Sequence, residues 1–173
     1  MKLAKIALTI VIIGLAFWLF MIIREPIQFA DERNKRYAKV IDRLKDIRTA
    51  EIAYKSVYNR YTGNFDTLIT FIKTDSFPVV RQIGNPDDTT QVVIRDTIMV
   101  SVRDSIFPSD YYIDSLRYIP FTDGSTFKLE AGTVERSNVR IPVFEATDTD
   151  PFDKNKVLKV GSMTEPTNAG NWE

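Results

Sequence analysis

Residues 6–23, IALTIVIIGLAFWLFMII, decide how this chain is read. They form a run of roughly 18 residues without a charge, about 27 Å as a helix, which is close to the thickness of a bilayer's hydrocarbon core. Lys2 and Lys5 stand before the run and Arg24 and Glu25 after it. Trp18 lies where an indole would sit at an interface. The expectation from the residues alone is an N-terminal transmembrane helix. The competing reading is a secretory signal peptide, whose apolar core is typically about 7–15 residues long. No small-x-small cleavage pattern follows the run, since Ala30 has Gln28 two positions before it. The run is therefore expected to stay as a single-pass anchor in an inner (cytoplasmic) membrane. Counted literally, Arg24, Arg33, Lys35, Arg36 and Lys39 put the large domain in the cytoplasm, but Asp31 and Glu32 interleave with these bases, and the reading favoured has the N-terminus inside and the C-terminal domain periplasmic.

Outward from that run the chain divides into three expected parts: residues 1–25 as tip and apolar helix, 26–62 as an amphipathic helix, and 63–173 as an α/β and loop region with an antiparallel β domain. Pro26 lacks a backbone donor, so it kinks the helix or starts a new one. Beyond it Tyr37, Ile41, Leu44, Ile47 and Tyr54 recur at threes and fours, the stripe of an amphipathic helix. A coiled coil with another chain and a helix packed on its own domain both satisfy this spacing. Glu51 in the seam argues for packing of the later half on a sheet, which leaves the earlier half to partner helices. Asn59, Gly63 and Asn64 place the end of the helix at residues 60–62, with Gly63 at the left-handed position. A short second helix follows over Phe65, Leu68, Ile69 and Ile72, capped by Asn64 or Asp66, and Pro78 closes the turn after it.

The remainder is rich in β-formers. Ile94-Arg95-Asp96-Thr97-Ile98 recurs eight residues later as Val102-Arg103-Asp104-Ser105-Ile106, which suggests extended segments or a hairpin arm. Such an arm is either an ordinary edge strand or a surface for strand addition or subunit contact. Four further strands are expected at 116–121, 126–130, 139–145 and 156–160, with Asp123-Gly124 and Gly132 among the breaks, and with Pro120 and Pro142 at edges or bends. Trp172 docks on the domain or meets a partner.

Composition narrows function. Twenty-three Lys and Arg balance 23 Asp and Glu, without the basic excess of a nucleic-acid surface. The chain contains neither cysteine nor histidine, so thiol nucleophiles, imidazole bases and the usual zinc ligands are absent. No nucleophile elbow or phosphate loop occurs, and neither an enzyme nor a cofactor is expected. Asp87-Asp88 reads as a solvated turn. Asp148, Asp150 and Asp153, with Asn155, form a weak calcium candidate that lacks the spacing and central glycine of an EF-hand.

The order of parts resembles type IV pilins and the type II secretion pseudopilins. The local resemblance lies in residues 47–55, IRTAEIAYK, followed by Tyr61-Thr62-Gly63-Asn64-Phe65 and Leu68. The prepilin peptidase motif is missing: Gly14 precedes Leu15, and no acid stands before Glu25. A second similar layout is that of bitopic alignment proteins of pili and secretion systems, with an anchor, a coiled helix and a ferredoxin-like domain. The resemblance implies an α+β, pilin-like fold with a long helix on a small antiparallel sheet. It also implies a non-enzymatic structural subunit of a pilus-like or secretion-type cell-envelope complex. Its partners would be the membrane and other envelope subunits, or further copies met through the N-terminal helix, with Pro26, Tyr37, Ile41, Leu44, Ile47 and Tyr54 as assembly residues. The alternative is an envelope scaffold or binding module acting through its β domain without forming a filament.

Overall fold

A computed structural model describes residues 2–83 and 94–173. The chain falls into two compact units, Met1–Lys39 and Val40–Glu173. Helix α1 (Lys2–Tyr58) supplies the first unit and opens the second. Within α1 the sequence changes character. Residues 6–21 are apolar and exposed, whereas from Val40 onward the stripe Val40, Leu44, Ile47 and Ala50 is buried.

The transmembrane helix expected at residues 6–23 is overturned. Among the described residues no helix is long and apolar enough to cross a membrane. The single-pass inner-membrane location, with its periplasmic C-terminal domain, falls with it. The α+β class and the small antiparallel sheet stand.

Helix α1 ends at Tyr58, earlier than expected, because Asn59 takes the left-handed conformation (φ 54°) and donates its N–H to Lys55 O at 2.8 Å. Asparagine tolerates that region and does here what Gly63 was expected to do. Gly63 is needed for another reason: a Cβ there would lie 3.1 Å from the Ala131 backbone nitrogen. Helix α2 (Phe65–Thr74) follows as expected. Asn64 Oδ1 accepts from the N–H of Asp66 at 2.7 Å and of Thr67 at 3.4 Å, and Leu68, Ile69, Phe71 and Ile72 are buried.

Pro78 closes no turn. It lies inside β1 (Ser76–Ile83), opposite Met99 of β2 (Ile94–Ser101), in a two-stranded antiparallel ribbon. The repeated pentapeptide therefore has two fates. Its first copy is strand β2, and its second is helix α3 (Val102–Ile106), with Val102 fully buried. Val102 N–H donates to Asp75 O at 3.0 Å, which fixes the corner between ribbon and helix. Phe107, extended before Pro108, ends α3.

The strand expected at 116–121 begins as the end of a 3-10 helix (Ile113–Arg117) and continues as one bridge, Tyr118 to Thr126, and a turn. The true sheet is β3 (Lys128–Arg136), β4 (Val139–Thr147) and β5 (Lys159–Gly161), antiparallel and in that order. Gly132 does not break β3. The β3–β4 turn is Ser137-Asn138, both at positive φ, the two-residue geometry that matches strand twist. Pro142 is tolerated inside β4 because β5 pairs only with Glu145, Ala146 and Thr147, so β4 is an edge where the proline sits. The tail extends the sheet by a bridge from Val160 to Gly170, and Trp172 folds against Gly170. The core gathers Leu44, Ile47, Leu68, Ile72, Val102, Leu116, Phe144, Leu158 and Val160.

Candidate functional site

Of the residues expected to mediate assembly, Leu44 and Ile47 are fully buried and Tyr54 nearly so. They belong to the core of residues 40–173. Tyr54 meets Phe71 of α2 edge-on, with ring centroids 5.1 Å apart. Ile41 is half-buried, Tyr37 is buried, and Pro26 lies within α1. The amphipathic stripe is thus taken up largely by the chain itself.

Polar contacts hold this part of α1 in place. Arg43 Nη1 donates to Ser115 Oγ at 2.6 Å, and its guanidinium lies 5.6 Å from the Tyr111 ring centre. Tyr111 donates its hydroxyl to Asp46 Oδ2 at 2.6 Å. Burial is the larger influence on Asp46 and pushes its pKa up, while the Tyr111 hydrogen bond works in the other direction. Arg48 donates to Glu173 Oε1 at 2.7 Å and to Asn168 O at 3.3 Å, fastening the C-terminal tail across the helix.

The surface left uncovered is the other end of α1. Ile10, Val11, Ile12 and Ile13 retain 64, 55, 57 and 64% of their accessible surface. Four consecutive helical residues sweep through about 300°, so the helix is apolar on every side. Leu15, Phe17, Trp18, Leu19, Phe20 and Met21 continue this band. Sequence reading found these residues but assigned them to lipid.

The aspartates of the calcium candidate do not converge. Asp148 is buried, and its Oδ1 accepts the Asp150 N–H at 3.0 Å. Asp150 Oδ2 accepts from Ser125 Oγ at 2.9 Å, and Asp153 Oδ1 accepts the Asn155 N–H at 2.9 Å. Asp148 and Asp153 each serve a local turn, and Asp150 a contact with distant Ser125. Burial raises the Asp148 pKa, the reverse of what a bound cation would favour. Among the described residues no three carboxylates are grouped so as to hold a metal ion. Asp87 and Asp88 lie outside the described residues.

Two features escaped sequence reading. One is a cleft of about 380 Å³ between the end of α1 and α2, walled by Tyr54, Tyr58 and Phe71, with Asp66 and Asp75 among its lining. The signal was available in the aromatic spacing of 54, 58 and 71, which reads equally well as core. The other is the depth of Glu51, which is fully buried and accepts the Thr62 N–H on Oε2 at 2.9 Å. No protein family, no curated protein and no solved structure matches this chain.

Proposed function

We propose that this chain is a non-enzymatic structural subunit that assembles with further copies of itself through residues 6–21 of α1, in a pilus-like or secretion-type assembly. The observation that carries this reading is the all-round exposure of that apolar band. A helix hydrophobic on every side is stable only when surrounded. An exposed apolar surface of this kind marks an interaction site. One neighbouring helix covers a single stripe, so several copies are required. The order of parts, a long helix followed by a small antiparallel sheet, supports the pilus-like element of the reading.

Sedimentation velocity of the full chain tests the proposal, beside a variant carrying Ile13→Glu and Phe17→Glu. The native chain should sediment as a multimer larger than a dimer, and the variant as a folded monomer. A native chain that remains monomeric contradicts the reading.

A further inference from the structure

The cleft between α1 and α2 has a chemistry separate from the apolar band. Tyr54 and Tyr58, one helical turn apart, place their ring centroids 4.7 Å from each other at an interplanar angle of 37°. Phe71 stands nearly perpendicular to Tyr54, at 78°, and 5.9 Å from Tyr58. The three rings make a corner rather than a flat stack. Tyr54 and Phe71 are buried at its floor, and Tyr58, 45% exposed, stands at its rim.

The charged groups are of one sign. Asp66 and Asp75 line the cleft, and no Lys or Arg does. Asp66 is bridged to Arg117, which does not line the cleft. Tyr58 donates its hydroxyl to Asp75 Oδ2 at 2.5 Å, and the single Thr74 hydroxyl proton is shared between Thr70 O at 2.9 Å and Asp75 Oδ1 at 3.2 Å. These bonds fix the carboxylate beside the ring and keep the phenol protonated: the hydrogen bond to Asp75 is the chief cause of its raised pKa. An aromatic ring presents negative potential on its face and attracts a cation placed over it, most strongly one that is weakly hydrated. At about 380 Å³ the cleft is of small-ligand size.

We infer that this cleft binds an alkylammonium group, seated against the Tyr54, Tyr58 and Phe71 rings with Asp75 as its counter-ion. Two sources share this chemistry: a free quaternary ammonium compound and a methylated lysine of a partner protein. The site uses none of the residues of the apolar band, so it stands or falls independently of self-association.

Saturation-transfer NMR on the full chain tests it, since that measurement tolerates large assemblies. Tetramethylammonium should receive saturation and tert-butanol, its neutral counterpart in shape, should not. Asp75→Asn and Tyr58→Leu, each with an unchanged melting temperature, should weaken tetramethylammonium binding about tenfold. Nα-acetyl-Nε-trimethyllysine amide identifies the source: tighter binding than tetramethylammonium marks a peptide ligand, and equal binding marks the free cation. Equal saturation of tert-butanol, no saturation of tetramethylammonium at about 50 mM, or undiminished binding by both variants overturns the inference; should Tyr58→Leu fail to fold, Asp75→Asn alone decides.

Discussion

Glu51 Oε2 accepts the backbone N–H of Thr62 at 2.9 Å, and this one bond ties the chain leaving α1 back onto the helix. The carboxyl is fully buried, and its Oε1 has no hydrogen-bond partner among the described residues. Desolvation is the main cause that pushes its pKa up to about 8, and the Thr62 bond offsets part of it. A carboxyl raised this far is held protonated in the folded chain at neutral pH, whereas the unfolded chain has released the proton above the ordinary value of 4.5.

The sign of the pH dependence follows. Below pH 4.5 both states carry the proton and this group imposes no penalty. Between 4.5 and about 8 the unfolded state binds fewer protons, so stability falls as pH rises. Each pH unit in that window corresponds to up to about 1.4 kcal/mol. Glu51→Gln should flatten this slope, raising the denaturation midpoint near pH 8 and leaving it almost unchanged near pH 4.5. A pH series of urea melts measures it, and parallel slopes for the two proteins would contradict the assignment.

The two copies of the repeated pentapeptide should respond differently to the same change. Ile98 in β2 is 39% exposed and Val102 in α3 is fully buried. Ile98→Asp should shift the melting temperature little. Val102→Asp should destabilise by several kcal/mol through a buried unpaired charge. Thermal melts of both variants check this.

That contrast shows what could be read in advance. The helical stripe from Tyr37 to Tyr54 and the cap at Asn64 follow from local periodicity and turn chemistry, and so do the strands expected at 126–130 and 139–145, although the structure carries the first on through Gly132 to Arg136 and the second to Thr147. The fate of Val102 does not, since valine favours strands, and its helix follows from the Asp75 hydrogen bond and from burial against a distant element. Pro78 misled for a related reason: a proline signals a turn, unless its strand has a free edge, as β1 does. Residues 6–21 were legible as a surface needing cover, but apolar composition alone does not distinguish lipid from protein as that cover. The aromatic cleft was hidden because Tyr54 and Phe71 also serve the core.

At β5, Gly161 has φ 76°, and a Cβ there would lie 2.2 Å from Phe144 O. Both the left-handed backbone and the contact with main chain exclude a side chain. Gly161→Ala should cost more than about 1–3 kcal/mol and loosen the tail, whose Ala169 carbonyl accepts the Gly161 N–H at 2.9 Å. Urea denaturation, with amide exchange at Gly170 and Asn171, checks both effects.

The core and assembly roles along α1 should separate by position. Leu44→Ala removes a fully buried side chain and should cost about 2–5 kcal/mol, lowering the melting temperature. Leu15→Ala, on the exposed band, should leave the unfolding of residues 40–173 unchanged while weakening self-association.

The central claim is that copies of this chain cover one another's apolar helices. Site-specific photocrosslinking in the full chain, with the probe at position 13 or 17 and a control at position 98, tests it most directly. The account predicts ladders of crosslinked copies extending beyond the dimer from positions 13 and 17, and none from position 98. Monomer alone at positions 13 and 17, at concentrations where the chain is folded, would contradict it.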